Sequence, residues 1–496
     1  MYATLRRNAQ AIGSALLSNT TATRSIAQKP PLYGQPVHPS HPHLVQPNEL
    51  VPGFSHEEFE RRRAALMASL PDDSMVLLTA SPVTYMSQEI FYKFRQNSDM
   101  WYLTGCEEPD SAVVLEKNSS SRGYSMTMFV NQKDALEEKW NGPRTGVRAA
   151  CELFGADNAH SIKDFPNKLK SIAQSYSAVF SDIPPGDKDD GYLRMLKRIT
   201  SLTKRGYDLE AVMSAIPNSR KRMLRPKIAP LRAVKSEAEQ RVMRAAADIS
   251  GRAHAKTMRF THPGMSEASI AAHFEYLCAL DGSQRPAYVP VVASGANALM
   301  IHYTNNNMIV ENEDLILIDA GCEYNGYASD ITRTYPANGT FTSAQRDLYS
   351  AVLSAQKQLV MMCSENAQQT MSTLHAVSCR LLRTELIQVG LEVSSAELSR
   401  DLYPHSLSHP LGIDLHESFT IPRTTKLEAG MVITIEPGIY VPPLERYPKH
   451  FWNLGVRIED DVLVGKEAPT VLSVSAPKEI ADVEGACQGL LGLEPY

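Results

Sequence analysis

Residues 315–335, LILIDAGCEYNGYASDITRTY, restrict the fold of this chain more than any other stretch. An apolar, strand-like run leads into Asp319, and Asn325-Gly326 is the strongest short signal for a two-residue hairpin turn. With that turn, Asp319 faces Thr332, and Asp330 is its diagonal neighbour on the same face, roughly 7–8 Å away at the backbone. A three-residue turn would reverse the parity. Two carboxylates spaced this way can close on a shared cation, because carboxylate–metal bonds are only about 2 Å long.

Two further strands each deliver an acid. In MVITIEPGIY (431–440), Val432, Thr434 and Glu436 share a face, while Met431, Ile433 and Ile435 point the other way. In VRIEDDVLV (456–464), Arg457 and Glu459 share a face opposite Val456 and Ile458. Four carboxylates converging inside a domain repel one another, and each buried ion costs several kcal/mol even after relaxation. Arg457 alone cannot neutralise four; two divalent cations can. A metal-free site would be protonated or unstable at neutral pH.

Imidazoles are supplied by LYPHSLSHPLGIDLHES (402–418), where His405, His409 and His416 fall beside Pro404, Pro410 and Gly412. The prolines make this a loop, so it is not the helical HExxH arrangement. Three histidines in one rigid loop point to function rather than packing. A further histidine, His302, follows a short strand in ALMIHYTNNN.

Around these motifs the chain reads as α/β in two parts. Residues 29–54 form a Pro- and His-rich extended arm in which His38, His41 and His43 read as solvated. Residues 55–228 form a first α/β domain with a capping box at Ser55 and Glu58 and strands at 75–80, 111–116 and 124–130. Residues 229–496 form a second domain. Capping boxes at Ser236/Glu239 and Thr342/Gln345 open helices there, Ser266 opens another, and a fourth runs from about Ser372 to a stop at Gly390.

The formal charge of −5 and the lack of a basic stripe predict no nucleic-acid partner. No apolar run reaches 18 residues, so no membrane span is expected. The seven cysteines are scattered without a CxxC pair, which fits unpaired thiols. Residues 1–28 carry Arg6, Arg7 and Arg24, no acid, many Ser and Thr, and an apolar face at Leu5, Ala9, Ile12 and Leu16; this reads as a mitochondrial transit peptide.

DAG…SDITRT, HPLGIDLHE, IEPGIY and VRIEDD, in this order, resemble the metallopeptidase family that holds aminopeptidase P, prolidase and methionine aminopeptidase. RQNSDMWYLTG (95–105) looks like the N-terminal domain of aminopeptidase P, and the arm resembles the mitochondrial branch: the intermediate-cleaving peptidases and the mitochondrial Xaa-Pro aminopeptidases of animals.

The resemblance implies a pita-bread fold for the second domain and two divalent metals, usually manganese. Asp319 would ligate one, His409 and Glu436 the other, with Asp330 and Glu459 bridging. A metal-bridging hydroxide would attack the first peptide bond of a protein or peptide. Glu436 would move the proton to the leaving amine, while His302 and His416 bind the scissile carbonyl or the residue after it. His405 would shape the same wall, Arg457 orient the carboxylates, Tyr288 contact substrate, and Tyr440 support the metal shell. Tyr276 and Tyr349 carry no match and read as core. The resemblance also implies a dimer or tetramer formed through the first domain, and mitochondrial residence in the matrix or at the inner-membrane periphery.

One departure concerns the pocket beyond the scissile bond. Bacterial aminopeptidase P has an arginine downstream of the last loop histidine; here HESFTIPRTTKLEAG puts Arg423 in a shifted register. The alternatives are therefore a peptidase trimming one residue from presequence-processed mitochondrial proteins, a strict Xaa-Pro aminopeptidase, and a non-catalytic peptide-binding module of the same fold.

Overall fold

The computed structural model describes residues 32–182 and 216–495; the expected transit peptide lies outside them. In the first domain, helix α1 (His56–Ala68) precedes a mixed six-stranded sheet. Its strands are β1 (Ser74–Thr79), β2 (Ala112–Lys117), β3 (Tyr124–Val130), β4 (Asn158–Ser161), β5 (Ala178–Phe180) and β6 (Lys221–Arg222), in the order β6-β5-β1-β2-β3-β4. The apolar, β-branched runs read from the sequence account for β1 to β3, whose residues are almost all buried. Helix α2 (Ser98–Thr104) starts on Asn97, whose side chain accepts from the Met100 N–H, and ends on Gly105 at φ 64°.

Helix α3 (Arg225–Ala233) leads into the second domain and its helices α4 (Glu237–Phe260), α5 (Glu267–Leu280), α6 (Ser343–Met361) and α7 (Met371–Gln388). The boxes at Ser236/Glu239 and Thr342/Gln345 form as expected, and Gly390 follows α7 at φ 82°. The box at Ser55/Glu58 does not form: Ser55 makes no side-chain cap bond, and the Glu58 carboxylate that would reach back to it is taken by Arg61 and Arg62. Tyr349 is core, but Tyr276 is half-exposed, on the outer face of α5.

The strands of the second domain are short antiparallel ladders. Strands β7 (Val291–Ser294), β8 (Leu315–Asp319) and β9 (Thr332–Pro336) form one sheet. β10 (Val432–Ile435) pairs with β13 (Asp460–Leu463), and β11 (Gly438–Tyr440) with β12 (Gly455–Arg457). Three strands read as continuous from the sequence are thus interrupted, at 329–331, 436–437 and 458–459. The cause lies in the backbone donors, which leave the ladder: Asp330 N–H faces the Asp461 carboxylate, Glu436 N–H goes to Leu407 O, and Glu459 N–H to Thr332 O. Pro437 has no N–H to give.

The two domains share core. Phe54, at the end of the arm, and Trp101 of the first domain pack on Tyr327 of the second at ring-centroid distances of 5.5 and 5.8 Å. Arg62 reaches Glu239 across the same boundary. The seven cysteines are free thiols. No described helix is long and apolar enough to cross a membrane.

Candidate metal centre and active site

Asn325 and Gly326 have φ of 46° and 83°, positive at both positions as a type I′ turn requires. Tyr324 pairs with Tyr327 and Asp319 with Thr332, so one register runs through the hairpin and the two-residue turn holds. Asp330 joins Asp319 on that face: the Tyr288 hydroxyl lies 2.6 Å from Asp319 Oδ1 and 2.7 Å from Asp330 Oδ1. On the other side, Ile435 is opposite Asp460 and Gly438 opposite Arg457. The two ladders keep one register, which sets Glu436 against Glu459 in the gap between them.

His409 is held at both ends of its backbone unit by Thr434: its N–H donates to Thr434 Oγ1 at 3.1 Å and its carbonyl accepts from Thr434 N–H at 3.0 Å. Its Nδ1–H donates to Pro410 O at 3.1 Å, which aims Nε2 at Asp330 Oδ2 (3.3 Å) and Glu436 Oε1 (3.8 Å). A ring nitrogen fixed this way is the usual preparation of a metal ligand. Arg457 spans the floor: Nη2 donates to Asp319 Oδ2 (2.6 Å), Nε to Thr332 Oγ1 (3.0 Å) and Nη1 to the Tyr440 hydroxyl (2.7 Å). Thr332 in turn donates to Glu459 Oε2 at 2.6 Å. Tyr440 donates to His405 Nε2 at 2.9 Å, while His405 Nδ1–H goes to Ser406 O.

Charge is not balanced here. Burial, and then the neighbouring acids, push Glu459 well above the usual carboxylate range. Burial raises Glu436 to about 8, with Asp330 and Asp319 adding and His409 opposing. Burial also raises Asp319, against the pull of Arg457. Asp330 is lowered: burial opposes, but the hydrogen bond and charge of His409 prevail. Burial disfavours the His409 cation, yet Asp330 and Glu436 raise it to about 9. Burial and Arg457 lower His405 to about 3, so it is neutral.

The residues fit a metal on two observations. Tyr288 has one hydroxyl proton for two carboxylate oxygens at bonding distance, so the second contact calls for another proton or a cation. Asp330, His409 and Glu459 offer donor atoms all within 4.8 Å of one another, with Asp319 and Glu436 alongside. Buried carboxylates with one imidazole make an oxygen-rich donor set suited to a divalent cation.

One cavity of about 590 Å³ is lined by Tyr288, His302, Asp319, Asp330, His405, His409, His416, Glu436, Arg457 and Glu459, and so by every residue singled out from the sequence for catalysis, substrate or metal. Tyr440 stands behind His405. Arg423 also lines the cavity. Sequence reasoning passed over Thr332, which links Arg457 to Glu459, although the hairpin register places it opposite Asp319. It also passed over Asp461, buried against the Asp330 N–H; two residues beyond Glu459, it shares that side by strand parity. Glu267 gave no signal. It is buried and accepts from Ser294, Asn297, Tyr303 and Met308, which braces the segment that carries His302.

Comparison with known proteins agrees with this geometry. Residues 241–466 match metallopeptidase family M24, and residues 59–180 match the aminopeptidase P N-terminal domain. Intermediate cleaving peptidase 55 of Saccharomyces cerevisiae is 37% identical over 456 residues, 92% of this chain and 88% of that protein. The Arabidopsis thaliana protein named intermediate cleaving peptidase 55, mitochondrial, is 36% identical over 91% and 87% of the two chains. Xaa-Pro aminopeptidase 3 of Rattus norvegicus is 35% identical over 92% and 90%. The crystal structure of Icp55 from Saccharomyces cerevisiae superposes with a TM-score of 0.79 at 36% identity, covering 89% of this chain and 99% of that one. Aminopeptidase P from Escherichia coli superposes at 0.78 with 31% identity, covering 89% and 100%. Both the pita-bread fold of the second domain and the aminopeptidase P type of the first follow from these matches. The chain belongs to the M24 metallopeptidase family, in its aminopeptidase P group, and is a metal-dependent aminopeptidase.

Proposed function

We propose that this aminopeptidase removes one residue from the N-terminus of proteins already cut by presequence processing, in the mitochondrial matrix or at the periphery of the inner membrane. The observation that carries this reading is likeness along nearly the whole chain to proteins named intermediate cleaving peptidase, one of them named mitochondrial.

In this reading Asp319, Asp330, His409, Glu436 and Glu459 would hold two divalent cations, manganese foremost. Bound there, the cations would supply Lewis acidity toward the scissile carbonyl and would lower the pKa of the attacking water towards neutrality. Glu436, opposite Glu459, carries the proton to the leaving amine. His302 and His416 hold the scissile carbonyl or the residue after it. His405, kept neutral and oriented by Tyr440, closes the same wall. Arg457 aligns Asp319 directly and Glu459 through Thr332. Tyr288 contacts the substrate beside the two aspartates.

A strict Xaa-Pro aminopeptidase is the second reading, favoured by the place of Arg423 in the cavity and by relatives named Xaa-Pro aminopeptidase 3. A panel of peptides starting Tyr-Ser, Leu-Ser and Arg-Pro separates the two. Trimming predicts release of Tyr and Leu; cleavage of the Arg-Pro peptide alone would overturn it. In cells, mature mitochondrial N-termini should lengthen by one residue when the chain is absent. Loading of less than one manganese per chain would instead favour a peptide-binding module. The enzyme works as a dimer or tetramer, supported by an apolar hairpin in which Tyr85, Met86, Ile90, Phe91 and Tyr92 are exposed; light scattering tests this.

A further inference from the structure

Residues 411–418, between His409 and the end of the histidine loop, form neither helix nor strand. Side chains from outside hold them. Arg232, on α3, is almost fully buried and spreads its guanidinium over three carboxylates: Nη1 to Asp99 (2.6 Å), Nη2 to Asp414 (2.7 Å) and Nε to Glu417 (2.5 Å). Asp99 belongs to the first domain. Asp414 and Glu417 belong to the loop, and Glu417 directly follows His416. Two more first-domain groups grip the same stretch: Arg95 Nη2 donates to Ile413 O (2.8 Å), and Ser98 Oγ donates to Asp414 Oδ1 (2.5 Å). The loop closes on itself where Glu417 Oε2 accepts from Asp414 N–H (3.0 Å). The His416 ring lies edge-on to His409 at 4.4 Å between centroids.

We propose that Arg232 is a positioning residue for catalysis, fixing the His416 end of the loop against the first domain. The planar fork spreads three nitrogens over three separate carboxylates in a fixed geometry; an ammonium gathers its three donors at one point charge on a flexible stem. Without the fork, the buried Glu417 loses its ion-pair partner and keeps the Asp414 N–H, the Ser418 hydroxyl and the more distant Lys235 charge, so the backbone next to His416 shifts to relieve it. The cavity that holds the metal-ligand set is therefore completed by a contact to a different domain. This rests on the proposed role of His416 in binding substrate, and the test is arranged to separate the two.

The experiment measures kcat and KM of Arg232→Gln, Arg232→Lys, Asp99→Asn and His416→Ala, alone and with Arg232→Gln combined with His416→Ala, all manganese-loaded. Misplacement by about 1 Å can cost about 10²-fold, so Arg232→Gln should lower kcat by about 30-fold or more with KM within about threefold. Arg232→Lys should recover little of the loss. In the His416→Ala background, Arg232→Gln should cost less than about twofold, because coupled residues are not additive. A fully additive double variant, or a folded, metal-loaded Arg232→Gln with unchanged kcat, would overturn the proposal while leaving His416 in place. An unimpaired His416→Ala would overturn both. If Arg232→Gln does not fold, Asp99→Asn carries the same cycle: it removes only the first-domain partner, and its kcat should fall several-fold, again not additively with His416→Ala.

Discussion

Glu459 and Asp460 are neighbours in the chain and point to opposite sides of the second domain. Asp460 is fully buried among Arg333, Lys478, Gln356 and Ser473. Burial alone would raise its carboxyl, but the Arg333 and Lys478 charges hold it far below its ordinary value. Glu459 is equally buried and meets Asp319, Asp330 and Glu436, and stands well above its ordinary value. The partner strand repeats the division, with Thr332 on the side of Glu459 and Arg333 on the side of Asp460. One side is an ion cluster complete in protein atoms. The other sets only Arg457 and His409 against four carboxylates and is short of positive charge, which is what a metal site looks like when only its protein half is counted.

Removing an acid should therefore have opposite consequences on the two sides. Glu459→Gln should lower kcat/KM by at least about 10³-fold, since metal-assisted chemistry supplies several kcal/mol and each 1.36 kcal/mol is tenfold. The melting temperature of the metal-free variant should stay level or rise; a clear fall would put Glu459 in the same class as Asp460. Asp460→Ala should instead cost about 3–5 kcal/mol of stability in urea unfolding, because it strands the buried Arg333 and takes a partner from the half-buried Lys478. An Asp460→Ala protein as stable as wild type would end the contrast.

The pH dependence sharpens it. In the metal-free protein Glu436 holds its proton up to about 8, against 4.5 for the free side chain, and His409 holds one up to about 9 against 6.5. At these two groups the native state binds more protons than the unfolded chain, so their share of stability falls as pH rises to about 9; the neutral, buried His405 and His254 work the other way up to about 6.5, which leaves a net fall above about 7. Ligands must be deprotonated to bind metal, so the stabilisation gained from manganese should grow over the same range. Melts with and without chelator at pH 7 and 9 read both trends; a metal-free protein that gains stability towards pH 9 would contradict the assignment. The smallest effect is expected for Tyr440→Phe, which removes one hydroxyl shared by Arg457 and His405. Loss of such an outer partner should weaken manganese binding about tenfold by titration.

Local signals in the sequence were sufficient for the hairpin. Asn325-Gly326 dictates a two-residue turn, and from it the pairing of Asp319 with Thr332 and the shared face of Asp330 follow. The helices opened by Ser236 and Thr342 were legible for the same reason: both partners of each box lie three residues apart. The opposition of Glu436 and Glu459 was not, because an excursion between Tyr440 and Gly455 separates their strands and hides the register. The strand breaks at the acids were also hidden, since each depends on a backbone donor finding a partner far along the chain. Ser55 shows how a local signal loses: Glu58 has the right spacing for a cap, but two arginines on its own helix take it first. Arg232 meets Asp414 182 residues away, and no local pattern announces that.

The Asn325-Gly326 turn is seated under Trp101 of the first domain, and a Cβ on Gly326 would lie 2.9 Å from that indole. The hairpin carrying both aspartates thus ends in a socket that the second domain does not own. For protein engineering this makes the two domains a single part. A catalytic half grafted onto a different N-terminal partner would have to receive an aromatic plate of the same size at the same place, because Gly326 has no side chain of its own to fill the gap.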